Sequence, residues 1–310
     1  MQVLQGSLVA LVTPMLPNGD VDYSCLENLI DWHIGQGTNG IVSVGTTGES
    51  ATLNVKEHLD VIAFTVKHTN KRIPVIAGSG ANSTREAIDL TKESKRLGAD
   101  YALIVTPYYN KPNQNGLIAH YSAIADAVDI DQILYNVPSR TACDLLPSSV
   151  SVLSKHKNII GIKEAVDDES RIKKLVQISQ NADSNFSVFS GDDPTFMDSM
   201  LLGTHGVISV SANVSPKSHS EICYAVKNGD YENIKTFFVE NQEEVYEFLL
   251  HIITLVSKPI EEEEADTDKD KETEKEVSSD EEKKPKSKTK ETTKKTTKKT
   301  TYIYIIMLLY

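Results

Sequence analysis

Short apolar runs alternate with longer segments of helical period along most of the chain. From residue 6 onward the alternation continues for roughly 220 residues, through about eight cycles. The runs are rich in Val and Ile, as are parallel strands that are buried on both faces. We predict eight strands: SLVALVT, GIVSVGT, IPVIAGS, YALIVTP, QILYNVP, IIGIKEA, FSVFSGD and GVISVSA.

The segments between these runs have the pattern of amphipathic helices, with apolar residues three and four positions apart. Examples are YSCLENLIDWHIGQG and STREAIDLTKESKRLG. Ser83 is a candidate N-cap for the second helix, and a glycine ends each of the two. The helices therefore have local start and stop signals.

Eight strand–helix units favour an α/β fold closed into a (β/α)8 TIM barrel, which we assign to residues 1–214. An open, doubly wound sheet is the alternative. That fold usually has a glycine-rich phosphate loop after its first strand, and TPMLPNGD does not match GxGxxG. The barrel is the favoured architecture.

The pattern changes beyond residue 214. Residues 215–258 have only helical periodicity and are expected to form helices that pack on the barrel. Residues 259–310 form a low-complexity tail, dominated by Glu, Asp, Lys, Thr and Ser, which is expected to be disordered because it has little apolar surface to bury.

Composition narrows the choice of partners and compartment. The net charge of −12 argues against nucleic acid or an anionic membrane as a partner. No apolar run approaches the roughly 18 residues of a membrane span. The cysteines, Cys25, Cys143 and Cys223, are far apart and lack CxxC spacing, which is typical of reduced thiols. We expect a cytoplasmic protein that acts on small molecules.

Lys163 is the most informative residue for chemistry, because it interrupts the apolar run NIIGIKEA at the end of a predicted strand. A buried lysine reaches the rim, pairs with a carboxylate such as Glu164 or one on a neighbouring strand, or loses its proton. Only the neutral amine can add to a ketone or aldehyde and form a Schiff base.

The strand ends carry no His/Cys/Asp cluster of metal-ligand spacing, which disfavours a metal-dependent mechanism.

Several dense motifs occur in one order: GSLVALVTPM, GIVSVGTTGESATL, IPVIAGSGAN, VTPYYNKP, ILYNVPSRTACDLLP, IIGIKEA and HGVISVSANV. Over about residues 3 to 260 the chain resembles the dihydrodipicolinate synthase family, in the pyruvate-dependent class I aldolase superfamily that also contains N-acetylneuraminate lyase. The resemblance implies a cofactor-free lyase that condenses pyruvate with L-aspartate 4-semialdehyde, the first committed step toward diaminopimelate and lysine.

The resemblance also assigns roles to individual residues. Lys163 would form the imine with pyruvate, and Tyr135 would carry protons beside it, linked through the Thr46 hydroxyl to Tyr109. Tyr109 would reach into the site of a partner subunit, which implies a homodimer or homotetramer. The remaining substrate contacts would be Thr47 for the pyruvate carboxylate, Arg140 for the carboxylate of the semialdehyde, and Gly191 and Ile208 for the pyruvate pocket.

Feedback-inhibited members of the family bind L-lysine at a second site, at the subunit interface. The matching positions here are Ser50, Ala51, His58, Asn82, Glu86 and Tyr108. Val55 departs from a polar residue that occurs in some inhibited relatives. Inhibition by lysine is an open expectation on this basis.

Two other functions stay open. One is cleavage of a sugar acid, as in N-acetylneuraminate lyase, although those lyases lack an arginine in the YNVPSRT motif. The other is an inactive, lysine-binding barrel. The family continues past LHIITLVSKPI with an NPIPVK-like motif and further helices, whereas this chain continues as EEEEADTDKDK.

Overall fold

The computed structural model describes residues 3–182 and 186–230. In this part the chain alternates between strands and helices. The strands are β1 (Gly6–Ala10), β2 (Gly40–Ser43), β3 (Val75–Gly78), β4 (Tyr101–Val105), β5 (Asp131–Asn136), β6 (Ile159–Glu164), β7 (Ser187–Ser190) and β8 (Gly206–Ser209). The helices are α1 (Tyr23–Gly35), α2 (Val55–Thr69), α3 (Thr84–Arg96), α4 (Gln114–Ala127), α5 (Pro138–Thr141), α6 (Pro147–Leu153), α7 (Glu169–Asn181), α8 (Phe196–Leu201) and α9 (Pro216–Asn228), and a 3₁₀ turn covers Ser211–Asn213.

All eight strands are parallel and form one closed barrel in chain order. The barrel closes where β1 pairs with β8, with Gly6 opposite Gly206 and Leu8 opposite Ile208. Closure leaves no unpaired edge strand in the barrel sheet. The predicted (β/α)8 TIM barrel is confirmed, and the open-sheet alternative is wrong.

The apolar side chains separate into an inner and an outer set. Inside the barrel lie residues from every strand, among them Leu8, Val42, Ile133, Phe189 and Ile208. Two further clusters fill the space between the sheet and the helices. Because both faces of each strand are buried, the strands are continuously apolar rather than alternating.

The predicted strands match the observed ones, but each extends one to three residues beyond the carboxyl end of its strand. Those residues lie in the connections that follow the strands, although some, such as Leu11 and Ala165, still donate a backbone hydrogen bond to the neighbouring strand. The predicted cap on α3 is confirmed, since Ser83 accepts a hydrogen bond from the Glu86 N–H. The amphipathic pattern therefore located the elements correctly and placed their ends less well.

The first predicted helix beyond residue 214 is α9, which packs on the outside of the barrel. Its residues Ile222 and Cys223 contact Phe196 and Met200 of α8 and Val207 of β8. The remaining predicted helical segment, 231–258, and the predicted disordered tail, 259–310, lie outside the described residues.

Candidate active site

Lys163 lies inside the barrel near the carboxyl end of β6 and is only 4% exposed. It pairs in register with Tyr135 of β5, and its Nζ atom lies 4.5 Å from the centroid of the Tyr135 ring. The amine therefore lies over the face of the Tyr135 ring. The two neighbours thus form the centre of the site.

A shift in strand register helps to decide which residues of β6 face Tyr135. The register between β5 and β6 shifts after Gln132, so that Ile133 pairs with Gly161. Ile162 then packs in the cluster between the sheet and the helices, while Lys163 contacts the interior residue Tyr135. A slip of one residue along the strand would have exchanged these faces.

Glu164 does not neutralise Lys163, because consecutive residues of a strand point to opposite faces. Its carboxylate accepts a hydrogen bond from the Arg171 Nε at 2.7 Å, on the outer side of the sheet. Burial raises the pKa of Glu164 to about 7, while the Arg171 guanidinium acts to lower it. Within residues 3–182 and 186–230, Lys163 has no ion pair. The alternative in which Lys163 pairs with Glu164 is wrong.

Gly191 lies beside the lysine, and Ile208 lies in the barrel interior. A Cβ atom on Gly191 would be 2.8 Å from Cε of Lys163 and 3.0 Å from its Cγ, so the glycine leaves the space that the lysine chain occupies. Ile208 is fully buried in the interior cluster that also contains Tyr135. Gly191 thus lies against the lysine chain, and Ile208 lies in the same interior cluster as Tyr135.

The Gly-Thr-Thr-Gly turn follows β2 at the same end of the barrel. Val44, just before it, has a left-handed φ of 54°, and a Cβ on Gly78 would lie 2.2 Å from the Val44 carbonyl oxygen. A left-handed β-branched residue is a strained conformation that the surrounding structure must hold in place.

Thr47 is 6% exposed, and in the described part of the chain neither threonine hydroxyl of the turn has a hydrogen-bond partner. The turn offers free hydroxyl donors at the strand ends.

Tyr109 is separated from this group. It is 89% exposed and has a left-handed φ of 73°, while Tyr108 beside it is 39% exposed. Among the described residues no hydrogen bond joins Tyr109, Thr46 and Tyr135. The expected relay of hydroxyls is thus not closed within one copy of the chain.

Arg140 lies on the short helix α5, which follows β5. Its side chain is exposed and makes no ion pair within the described ranges. An unpaired guanidinium at the rim of the barrel is suited to a carboxylate ligand, since its planar donors match the two oxygens.

The six positions expected to bind lysine have mixed environments. Ala51 and Glu86 are exposed, Ser50 and Asn82 are half-buried, and Tyr108 is on the exposed loop described above. His58 is 5% exposed, and its Nε2 bonds to the Gly78 carbonyl oxygen at 2.8 Å. Burial lowers the pKa of His58, so the neutral ring donates this bond. His58 is thereby fixed to the end of β3.

Two polar anchors near the site were not identified from the sequence. Arg171 of α7 binds both Glu164 and Asp144, and Asp193 accepts hydrogen bonds from the N–H groups of Val210 and Ser211 after β8. The only local signal for either was a charged residue close to an apolar run. Their partners lie 7 to 27 residues away in sequence, beyond the reach of local patterns.

Two observations bear on other classes of site. The described residues contain no group of three or more His, Cys, Asp or Glu side chains arranged to hold a metal ion. Among the helices in the described part, none is both long and apolar enough to cross a bilayer.

The fold and the site together define a (β/α)8-barrel protein with a buried lysine at the carboxyl ends of its strands. Active sites of barrel enzymes lie at this end. The chain belongs to the dihydrodipicolinate synthetase family, whose model matches residues 3–260.

Individual relatives agree with the family assignment. The chain is 52% identical over 260 residues to the 4-hydroxy-tetrahydrodipicolinate synthase of Pseudomonas savastanoi pv. phaseolicola, covering 80% of this chain and 88% of the relative. It is similar to the crystal structure of the chloride-inhibited dihydrodipicolinate synthase of Acinetobacter baumannii complexed with pyruvate. That match has a TM-score of 0.74 and 51% identity, and covers 83% of this chain and 86% of the other. A monomeric dihydrodipicolinate synthase variant matches with a TM-score of 0.77 and 35% identity, over 82% of this chain and 88% of the variant.

Proposed function

We propose that this protein is a Schiff-base-forming lyase that condenses pyruvate with L-aspartate 4-semialdehyde to 4-hydroxy-tetrahydrodipicolinate. The observation that carries the proposal is the position of Lys163: buried inside the barrel, next to Tyr135 and Gly191, and unpaired within the described residues. The relative named 4-hydroxy-tetrahydrodipicolinate synthase and the solved relative in complex with pyruvate support this choice of substrates.

The reaction begins with addition of the neutral Lys163 amine to the ketone carbon of pyruvate. Loss of water gives an imine, which is protonated and withdraws electrons from the adjacent methyl group. A proton leaves that methyl carbon, and the resulting enamine attacks the aldehyde carbon of the second substrate, whose oxygen becomes a hydroxyl. The substrate's own amine then replaces lysine at the imine carbon, which closes the ring and frees the enzyme.

Each of these steps moves a proton, and Tyr135 is the group best placed to carry it. Its ring is adjacent to the Lys163 Nζ. A phenol needs polar neighbours to pass protons on efficiently. We assign this part to the Thr46 hydroxyl and, from a second copy of the chain, to Tyr109.

The substrate carboxylates are assigned to opposite sides of the lysine. The Gly-Thr-Thr-Gly turn would hold the carboxylate of pyruvate through Thr47 and backbone N–H donors, with Gly191 and Ile208 lining the pocket. Arg140 would hold the carboxylate of the semialdehyde. This assignment favours the synthase over cleavage of a sugar acid, because Arg140 has a charge to offer and no protein partner in the described part.

A homodimer follows from the same assignment. Tyr109 is 89% exposed and held in a strained backbone conformation, which is the state expected of a side chain that inserts into a partner. One relative is a monomeric variant, so the assembly is measured separately.

The three cysteines are free thiols, in keeping with a reducing compartment such as the cytoplasm.

We also propose that L-lysine binds at the surface that carries Glu86 and Asn82, where a carboxylate and an amide are available to its amino groups. Calorimetry with L-lysine, run beside a turnover assay, tests this. Binding together with reduced turnover supports an inhibitor site, and binding without any turnover supports the inactive, lysine-binding barrel instead.

Reductive trapping tests the main proposal. Pyruvate with borohydride should add one covalent adduct per chain, and peptide mapping by mass spectrometry should place it on Lys163. Lys163→Ala should abolish the adduct and reduce turnover by about a thousand-fold or more. Lys217→Ala is the matched control, because Lys217 is an exposed lysine on the outer helix α9. An adduct elsewhere, or full turnover by Lys163→Ala, would disprove the mechanism.

A further inference from the structure

A buried polar network connects the strand that carries Lys163 to the segment that carries Arg140. We call residues 137–146, between β5 and α6, the Arg140 segment. Arg171 of α7 donates Nε to Glu164 Oε2 at 2.7 Å and donates both terminal nitrogens to Asp144, at 2.7 and 3.1 Å. Arg171 is therefore a bridge between the end of β6 and the Arg140 segment.

The same guanidinium also fixes the backbone of the segment. Arg171 Nη2 donates to the Leu145 carbonyl oxygen at 2.6 Å. From the other side, Asn136 at the end of β5 donates to both Asp144 and Glu164, and its side-chain oxygen accepts from the Leu145 N–H at 2.9 Å. Side chains from β5 and α7, both bonded to Glu164 of β6, thus hold two consecutive residues of the segment.

Two of the three charged groups in this network are buried. The side chain of Glu164 is fully buried and that of Arg171 is 11% exposed, whereas that of Asp144 is 39% exposed. Charge-assisted and forked hydrogen bonds are shorter and stronger than neutral ones, and removing one member of a buried set leaves the others unsatisfied. The exposed ion pairs elsewhere on the surface lack this support.

The Arg140 side chain, by contrast, makes no hydrogen bond or ion pair within the described ranges. Its position relative to Lys163 is set by the backbone that carries it. The short helix α5 ends at Thr141, and Ala142 turns the chain with a left-handed φ of 52°, two residues before Asp144. The first side chain after this turn that is tied to the Lys163 strand is Asp144.

We propose that Asp144 and Arg171 are positioning residues that hold Arg140 at the correct distance from Lys163 for the carboxylate of the second substrate. The proposal rests on the proposed function, since it concerns how the second substrate is bound. Neither residue contacts a reacting atom. Loosening the segment should weaken binding of that carboxylate and leave the imine with pyruvate intact.

The test compares Asp144→Asn, which keeps the shape and removes the charge, with Asp129→Asn. Asp129 is an exposed carboxylate near the opposite end of β5, with salt-bridge distances of 3.8 and 3.9 Å. Asp144→Asn should raise the KM for the semialdehyde about tenfold, because small displacements of a binding group are costly. The KM for pyruvate and the borohydride adduct on Lys163 should match those of Asp129→Asn, and Asp144→Glu should restore part of the loss.

Hydrogen exchange gives a second readout that does not depend on activity. Amides of the Arg140 segment should exchange faster in Asp144→Asn than in the wild type and in Asp129→Asn, with no change elsewhere in the barrel. Equal exchange in all three proteins, or an equal rise in both KM values, would overturn the proposal. If the wild type neither traps pyruvate nor turns over, the proposed function fails, and the exchange measurement alone still decides whether Asp144 holds the segment.

Discussion

Gly191 and the aliphatic chain of Lys163 approach so closely that no side chain fits between them. A Cβ on Gly191 would lie 2.8 Å from the Lys163 Cε. Real Cβ atoms do not make contacts this short, so something must move. The atom in the way belongs to the far end of a flexible side chain, which can move at little cost to the fold.

Gly191→Ala should therefore damage the site without damaging the protein. We expect trapping of pyruvate and turnover to fall at least about tenfold, because the amine is displaced from its place beside Tyr135. The melting temperature should stay within a few degrees of the wild type, consistent with a stability change of about 1 kcal/mol or less. Gly35→Ala is the matched control, since a Cβ there meets nothing within 4 Å. Normal trapping by Gly191→Ala would show that the lysine has more freedom than the structure indicates.

Arg140→Ala should separate the two substrates kinetically. A charge-assisted hydrogen bond contributes about 1.5–3 kcal/mol, so the KM for the semialdehyde should rise roughly 10- to 150-fold. The KM for pyruvate should change less than about twofold, because the proposed ligand of the pyruvate carboxylate is the Gly-Thr-Thr-Gly turn and not Arg140. Steady-state kinetics with each substrate varied in turn measures both values. Arg96→Ala, an exposed arginine on α3, serves as the control.

A complementation assay tests whether Tyr109 acts in the partner's site. Lys163→Ala and Tyr109→Ala should each be weakly active alone, because one lacks the nucleophile and the other lacks the inserted phenol. In a mixed dimer, one of the two sites has an intact Lys163 and receives an intact Tyr109. After subunit exchange at equal concentrations, activity should recover to about a quarter of the wild type, since half of the dimers are mixed and each has one complete site.

Recovery of activity in the mixed dimers would support the role of Tyr109 in the partner's site. No recovery, despite subunit exchange confirmed by native mass spectrometry, would mean that Tyr109 does not complete a neighbouring site. Sedimentation of the wild type at the same concentration establishes whether dimers are present at all.

Two buried histidines should make the fold sensitive to acid. Burial lowers the pKa of both His33 and His120 to about 4, from an ordinary value near 6.5. Each ring bonds through Nδ1 to a threonine, and each Nε2 is buried without a partner among the described residues. Between pH 6.5 and 4 the unfolded chain binds protons that the folded chain does not. The contribution of these residues to stability is therefore complete above pH 6.5 and is lost as the pH falls toward 4.

Each histidine should account for up to about 3 kcal/mol of this loss at pH 4. His33→Gln and His120→Gln should each reduce the fall in unfolding free energy between pH 7.5 and 5.0, measured by denaturant titration. The quantity compared is the slope of the unfolding free energy against pH rather than its absolute value. The destabilisation that each substitution causes at every pH then cancels. Glu164 affects stability in the opposite sense. Because its pKa is raised, its contribution to the free energy of unfolding is largest at low pH and is lost as the pH rises through about 7. Unchanged slopes in both histidine variants would contradict the prediction.

The eight strands, the N-cap of α3 and the burial of Lys163 follow from residues that are neighbours in sequence. Hydrophobic periodicity and capping depend on spacings of two to four residues, so a single chain displays them directly. The resemblance to a family added the roles of Tyr135, Thr46, Arg140 and the other site residues. Those roles stay proposals, although the structure gathers Lys163, Tyr135, Gly191 and Ile208 inside one end of the barrel.

The alternative in which Glu164 pairs with Lys163 shows where reasoning along the sequence fails. Glu164 is the nearest carboxylate to Lys163 in sequence, yet strand geometry sends the two side chains to opposite faces. The partner of Glu164 is Arg171, on the next helix. Alternation along a strand could have excluded the pair, but it could not have supplied Arg171.

The sequence by itself determined the order of strands and helices and the presence of a lysine in an apolar strand, because these are properties of local pattern. Only the tertiary structure decided which face Lys163 occupies, that Gly191 makes room for it, and that Asp144 and Arg171 tie the Arg140 segment to its strand. These contacts join residues from different strands and helices. Closing the barrel brings such residues together, and no repeat in the sequence marks which of them will meet.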